Sequence, residues 1–205
     1  MKIIRIHLIL MLIATTLGCT EDVEKNDGII DEEENEVSQW ELVWADEFDS
    51  EEIDESKWNK IQWRPGWVNN EQQAYTDRDI NLYLDDGNLV IQGLIEPGYY
   101  GTDYTGTAYN SDYTSGRMNT DDKVSWTYGR FDIRAKLPKG KGSWPAIWML
   151  GENISTVGWP NCGEIDIMEH VGFDDGRIHA SIHTEDYNHM NNTQKSGSTF
   201  IETFS

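Results

Sequence analysis

The sequence comprises 205 residues with 37 acidic and 16 basic side chains, which gives a formal net charge of −21 at pH 7. This charge argues against nucleic acid and against an anionic membrane surface as partners. It argues more weakly against a heavily sulfated substrate, because a local basic pocket can outweigh the average charge.

Residues 1–19 have the pattern of an export signal. Lys2 and Arg5 form a short basic region, and residues 8–17 form a mostly apolar run that is too short to span a bilayer. Leu17-Gly18-Cys19 then resembles a bacterial lipobox, where cleavage leaves a lipid-modified Cys19. We therefore expect an exported bacterial lipoprotein, in the outer membrane or at the cell surface, that meets a membrane only through its lipid anchor. The alternative is an ordinary secretory signal in which Cys19 is incidental.

Residues 20–39 are dominated by Asp and Glu, including the acidic run at 31–34. With almost nothing apolar to bury, this segment is predicted to be a disordered acidic tether. The remainder, residues 40–205, is long enough for one domain with its own core. Once Cys19 is lipidated, Cys162 is the remaining cysteine, so no intrachain disulfide is expected in the mature domain.

The domain is predicted to consist of short strands separated by turns, without a convincing amphipathic helix. Asp85-Asp86-Gly87 is a compact hairpin signal between two of these strands. The pattern indicates an all-β fold, an antiparallel β-sandwich. Residues 201–205 resemble the beginning of a further strand, so we expect the domain to be incomplete at its C-terminus. The predicted strands cover residues 41–44, 80–84, 88–92, 128–135, 144–150, 163–171 and 178–184.

Nine tryptophans and nine tyrosines are many for a domain of this size. Aromatic rings can stack on the apolar faces of pyranose sugars, although several of these rings must instead serve the core. Trp67, Trp144 and Trp159 adjoin Gly or Pro at loops and strand ends, where binding residues concentrate. Trp148 has an even spacing from Trp144 and would share its face on one strand. These four are the candidate sugar contacts.

Three acidic residues stand in an apolar, strand-favouring segment at 163–169. On a regular strand Glu164 and Asp166 point the same way, whereas the odd spacing from Glu164 sends Glu169 to the opposite face. One extra residue, a β-bulge near Ile167-Met168, would return Glu169 to the shared face. Carboxylates held this close cannot all ionise cheaply, so at least one should have a raised pKa. A pair of one ionised and one protonated carboxyl is what glycoside hydrolysis needs.

The alternative for this segment is an exposed strand whose acids merely face water. Ile165, Ile167 and Met168 argue against it, because they indicate that the opposite face is buried in a core.

Ordered blocks of residues through the domain resemble glycoside hydrolase family 16, and within it the bacterial laminarinases, which are endo-acting β-1,3-glucanases. The resemblance runs from about Trp40 to the end of the chain, and a match this extended is highly specific. The blocks that carry it cover residues 67–72, 113–118, 126–131, 141–150, 163–172 and 178–184.

The resemblance implies a jelly-roll sandwich of the concanavalin A-like lectin/glucanase type with an open cleft. It implies that Glu164 is the nucleophile and Glu169 the general acid/base, with Asp166 between them tuning the nucleophile and its proton. Members with an inserted Met, as at Met168, carry the bulge, whereas the related lichenases lack it. Substrate-binding positions of the family match Asn70, Arg117, Trp144, Trp148, Trp159 and His183.

The chemistry implied by the resemblance requires no cofactor. Many members hold a structural calcium ion through backbone oxygens near Glu47 and Gly87, together with an acidic ligand that would lie beyond Ser205. A zinc site is not expected, because the spacing of His179, His183 and His189 does not suit metal ligands with a carboxylate.

The resemblance leaves more than one substrate open. The expected substrate is the polysaccharide β-1,3-glucan, and the alternatives are mixed-linkage β-1,3-1,4-glucan and an algal galactan such as agar. A glycan-binding surface lipoprotein without catalysis is the competing class of function. The retention of all three acids in this sequence argues against it.

Overall fold

A computed structural model describes residues 2–6 and 40–202 of the chain. Most of the predicted export signal, including Cys19, and the whole predicted tether at residues 20–39 lie outside the described residues. The chain divides into two compact units. Unit 1 contains the described residues of Met1–Glu55, Lys60–Met118 and Trp126–Arg134, and unit 2 contains those of Ser56–Asn59, Asn119–Ser125 and Ala135–Ser205.

Strands dominate the described residues, and the helical elements are a four-residue α-helix and a three-residue 3₁₀ turn. The expectation of an all-β chain is therefore confirmed. The elements are β1 Lys2–Ile6, β2 Glu41–Ala45, β3 Asn59–Lys60, β4 Ala74–Tyr75, β5 Leu82–Asp85, β6 Asn88–Ile91, β7 Leu94–Thr102, β8 Ala108–Ser115, β9 Met118–Asn119, β10 Arg130–Ile133, β11 Ala146–Leu150, α1 Ile154–Val157, β12 Glu164–His170, β13 Arg177–His183, the 3₁₀ turn His189–Asn191 and β14 Lys195–Phe200. Within residues 2–6 and 40–202, no helix is both long and apolar enough to cross a membrane.

Unit 1 contains parallel as well as antiparallel pairs. β1 lies between β10 and β2 and is parallel to both. β8 pairs in parallel with the two-residue β4 and antiparallel with β7. These parallel pairs are short, and the longer ladders, β7–β8, β11–β12, β12–β13 and β13–β14, are antiparallel as the sequence predicts.

The hairpin predicted around Asp85-Asp86-Gly87 is present as β5 and β6. Leu82 pairs with Ile91 and Asp85 with Asn88, which leaves Asp86 and Gly87 as the two turn residues. Both have positive φ, at 46° and 70°, as a type I′ turn requires. Gly87 suits this position because it has no Cβ to strain.

Unit 2 is built on one antiparallel sheet with the strand order β11-β12-β13-β14. The acidic segment forms β12, so it is an inner strand with a neighbour on each side. Gly163, immediately before it, has a φ of 79°, a conformation that favours glycine at the start of the strand.

One sequence argument about β12 needs correction. Ile165 was expected to face a core, but its side chain is 49% exposed. His170, at the end of the strand, is fully buried. The buried residues of the strand are therefore two polar ones, Asp166 and His170.

Candidate active site

β12 carries the bulge that the acidic spacing predicts. On the β11 side, Trp148 pairs with Asp166 while the adjacent Ile147 pairs with Met168, so β12 has one residue more than its partner. The β13 ladder shifts at the same place, between Asp166 and Glu169. The extra residue falls at Ile167–Met168 and changes which way Glu169 points.

Glu164 lies at the start of β12 and is held by a tryptophan. The indole N–H of Trp159 donates a hydrogen bond to the Oε2 atom of Glu164 at 2.6 Å. A donor to an ionised carboxylate stabilises the charged form. Glu164 is only partly buried, so this carboxylate is both oriented and accessible.

Glu169, beyond the bulge, is bound by a second tryptophan. The indole N–H of Trp144 donates to its Oε1 atom at 3.0 Å, and the Trp144 side chain is 49% exposed. Burial is the main cause that raises the pKa of Glu169, and the negative charge of Asp166 adds to it. The Trp144 bond acts in the opposite direction but does not cancel these effects.

Asp166 sits between the two glutamates and is 4% exposed. Burial and the neighbouring Glu164 carboxylate raise its pKa to about 6, against an ordinary value of 3.8. His183 on β13 partly opposes this shift, since its Nε2 atom lies 3.1 Å from Asp166 Oδ2. The predicted rise in carboxyl pKa is confirmed for both Asp166 and Glu169.

Carboxylate oxygens of Glu164 and Asp166 lie within 4.8 Å of each other, and the bulge turns Glu169 to the same side. The three carboxyl groups therefore lie on one face of the bulged strand. Trp148 is directly opposite Asp166 in the ladder and therefore shares that face. The face combines a carboxyl group held by an N–H donor, Glu164, with a second carboxyl group, Glu169, whose pKa is raised. That combination can protonate a leaving group on one side and attack a carbon on the other.

His183 is less accessible than a substrate contact would need. Its side chain is 6% exposed and its ring faces Asp166. Contact with substrate remains a prediction, and the geometry shown is that of a partner for Asp166.

Asn70 and Arg117, the other predicted substrate contacts, belong to unit 1. Asn70 is exposed and has a φ of 54°, so it lies in a left-handed turn. The Arg117 guanidinium lies 4.3 Å from the ring centroid of Trp63, which itself stacks on Trp67 at 5.7 Å. Unit 1 thus has its own cluster of aromatic rings and a cation.

Glu47 and Gly87, the residues named for calcium, also lie in unit 1. Gly87 is the second residue of the β5–β6 turn and is exposed, whereas Glu47 is partly buried. Calcium binding there stays a prediction.

The residues that could best hold a metal ion by geometry are Glu164, Asp166 and His183, whose ligand atoms lie within 4.8 Å of one another. The spacing of the histidines relative to a carboxylate does not predict this group, because the register between β12 and β13 brings His183 beside Glu164 and Asp166.

His189 is a feature of the site that sequence reasoning missed. It lies in the 3₁₀ turn after β13, and its ring stacks on Trp159 with centroids 4.7 Å apart. No periodic pattern marks a loop residue, so the sequence offers no signal for this contact.

Comparison with known proteins agrees with this geometry. The family described as "XgeA-like, catalytic GH16 domain" matches residues 66–204. A beta-glucanase of Rhodothermus marinus is 47% identical over 168 residues, which cover 80% of this chain and 55% of that protein.

Solved structures agree as well. The laminarinase from Rhodothermus marinus has a TM-score of 0.70 and 46% identity over 80% of this chain and 63% of its own. The catalytic domain of an endo-1,3-beta-glucanase from Thermotoga petrophila has a TM-score of 0.69 and 42% identity over 79% of this chain and 63% of its own. The chain thus spans a little over half the length of the Rhodothermus beta-glucanase and 63% of each solved chain.

The chain belongs to glycoside hydrolase family 16. The predicted family and its jelly-roll β-fold are confirmed by these likenesses.

Proposed function

We propose that the protein is a retaining endo-β-1,3-glucanase that acts on laminarin-type glucan. The observation that carries this proposal is the bulged β12, on which Glu164 and Glu169 are each bound by a tryptophan N–H on either side of Asp166. The names of the relatives, beta-glucanase and laminarinase, support the substrate class.

The proposed first step uses the two glutamates in different protonation states. Glu169, whose pKa is raised, gives its proton to the glycosidic oxygen as the bond to the leaving sugar breaks. The Glu164 carboxylate attacks the anomeric carbon and forms a covalent glycosyl-enzyme. The Trp159 N–H orients the attacking carboxylate. For this step the two carboxyl groups should approach to about 5–5.5 Å.

In the second step Glu169 is ionised and removes a proton from water. The water oxygen attacks the anomeric carbon, the Glu164–sugar bond breaks, and the anomeric configuration is retained. Asp166 tunes both steps, since its carboxyl group interacts with Glu164 and raises the pKa of Glu169. Trp144 and Trp148 are proposed to contact the sugar on this face. Asn70 and Arg117 stay predicted substrate contacts from the family resemblance.

The experiment measures reducing-sugar release from laminarin, lichenan and agarose. We expect the fastest release from laminarin, with ¹H NMR showing the β-anomer formed first. Faster release from lichenan or agarose would transfer the assignment to mixed-linkage glucan or galactan. Binding of laminarin without product from any of the three would leave a glycan-binding protein.

Azide separates the roles of the two glutamates. The substrate is an aryl β-laminaribioside with an activated leaving group. In the Glu164→Gly variant, azide should attack the anomeric carbon from the side that the nucleophile vacated and give the α-glycosyl azide. Glu169→Ala should give the β-azide, because azide then opens the glycosyl-enzyme. The reversed products would exchange the two assignments.

We also propose that Cys19 is the lipid attachment site of an exported lipoprotein, on the strength of the preceding apolar run. Cys19→Ser should move the protein from the membrane fraction to the soluble fraction of the producing cells. Membrane retention of that variant would exclude Cys19 as the anchor.

A further inference from the structure

Trp159 is held on one ring face by His189. The two ring centroids are 4.7 Å apart with an interplanar angle of 30°, a stacked arrangement. His183 completes a cluster of three rings, with its centroid 5.3 Å from that of His189 and 6.0 Å from that of Trp159. One face of the indole is therefore covered by protein and unavailable to a sugar.

The same indole is the donor to Glu164. An indole N–H lies in the plane of its ring, so the plane of Trp159 determines where the donor points. A ring that stacks on Trp159 fixes that plane. Through this stack, His189 affects Glu164 without touching it.

Hydrogen bonds within the loop after β13 hold the backbone at His189. Asn188, immediately before it, is 2% exposed and donates from Nδ2 to the carbonyls of Thr184 at 3.1 Å and Glu185 at 3.0 Å. Its Oδ1 atom accepts from the Asn191 N–H at 3.3 Å, which closes the 3₁₀ turn that carries His189. A buried amide thus fixes the backbone on which the exposed histidine stands.

We infer that His189 is a positioning residue for the nucleophile: it stacks on Trp159 and so keeps the indole N–H directed at Glu164. This inference rests on the proposed role of Glu164. It also changes the part given to Trp159, which orients the carboxylate and offers substrate only its edge or its uncovered face.

Three variants of the full chain test this. His189→Ala removes the stacking ring, and His189→Phe keeps an aromatic ring. Met190→Ala is the matched control, because Met190 is the adjacent residue of the turn and is 73% exposed. On laminarin we expect kcat of His189→Ala to fall about tenfold with little change in KM, since the loss is one of orientation. His189→Phe should recover most of kcat, and Met190→Ala should match the wild type.

A mechanism-based probe isolates the nucleophilic step. Inactivation by 2-deoxy-2-fluoro-β-laminaribiosyl fluoride should slow in His189→Ala to about the same degree as kcat, at an unchanged inhibitor affinity. Unchanged kcat and inactivation in His189→Ala would overturn the inference. So would an effect confined to KM, which would make His189 a substrate contact instead.

NMR of the indole N–H of Trp159 tests the contact independently of turnover. The resonance, assigned by its loss in Trp159→Phe, should be shifted downfield by the bond to the carboxylate in the wild type. This resonance should move upfield in His189→Ala and keep its wild-type chemical shift in His189→Phe. If His189→Ala does not fold, His189→Leu takes its place, with the same upfield shift expected.

These readouts separate the two proposals. A wild type with the downfield resonance but no hydrolysis of any glucan would overturn the proposed function. A wild type that hydrolyses laminarin, with a resonance unmoved in His189→Ala, would overturn the positioning role alone.

Discussion

Ionisation of the Asp166 carboxyl group should lower the free energy of unfolding as the pH rises. Its pKa is about 6 in the folded protein against 3.8 ordinarily, so between these values the folded state binds a proton that the unfolded state has lost. Stability therefore falls as pH rises through that window.

Asp166→Asn removes this titration while keeping the shape of the side chain. We expect its free energy of unfolding to match that of the wild type near pH 4 and to exceed it by about 1–2 kcal/mol at pH 7. Urea denaturation at the two pH values measures the difference. A constant difference between the variants across that range would contradict the raised pKa.

The Trp144 indole should influence the pH above which activity falls, through the pKa of Glu169. Its N–H donates to Glu169 and favours the ionised form, so its removal in Trp144→Phe should raise the pKa of Glu169 further. Because Glu169 acts first as an acid in the proposed mechanism, the alkaline limb of kcat/KM against pH should move to higher pH.

The half-exposed indole of Trp144 is also proposed to contact the sugar, so KM for laminarin should rise in Trp144→Phe as well. A shift of the alkaline limb to lower pH would show that the indole does not act on Glu169 in this way.

The bulge makes β12 unusually sensitive to the number of its residues. Deleting Met168 alone gives Glu164 and the second glutamate an even spacing, so a regular strand would still present both on one face. Deleting Ile167 and Met168 together gives an odd spacing and sends the second glutamate to the other face.

We therefore expect the single deletion to fold and retain measurable hydrolysis of laminarin, and the double deletion to lose it by about 10³-fold or more. Circular dichroism checks that both variants keep the β-fold. Equal activity of the two deletion variants would mean that hydrolysis does not depend on both glutamates lying on the same face of β12.

The sequence predicts a strand where apolar and polar residues alternate. It does not predict a strand whose pairing lacks that alternation. β12 and β13 are predicted to within a residue or two because of their alternation. β7 contains Pro97 and Gly98, which strand patterns exclude, and it tolerates them at a register shift between Ile95 and Tyr99. β14 has exposed residues throughout, and it is joined to β13 by the backbone ladder and by a 3.0 Å hydrogen bond between the hydroxyls of Ser181 and Ser196. Its sequence therefore lacks the apolar alternation that predicts a strand.

At the scale of the whole molecule, the net charge of −21 bears on the kind of polysaccharide that binds. A neutral glucan feels little of the protein's field, so KM for laminarin should change less than about twofold between low and high salt. Kinetics in about 0.02 M and 0.5 M NaCl measure this. A KM that falls steeply with salt would indicate an anionic polysaccharide, whose repulsion salt screens.

The division of the chain explains which parts of the site were predictable. Glu164, Asp166 and Glu169 lie on one strand, so alternation and a single extra residue relate them directly. The Trp159–His189 stack joins two loops of unit 2 that are separated by β12 and β13, and local patterns hold no information about such a contact. Asn70 and Arg117 lie in unit 1, and the family resemblance marks them where no local pattern does.

β14 is one of the two outer strands of the unit 2 sheet, and within the described ranges its ladder runs only to β13. In heavy water its amide protons should exchange first, those of β13 later and those of β12 last, because an inner strand opens only after its neighbour has separated. Fraying that starts at β14 would then begin two strands away from the carboxyl groups of β12, whereas β11, the other outer strand, lies directly beside them. The carboxyl face is therefore shielded from thermal opening of the sheet on the β14 side only.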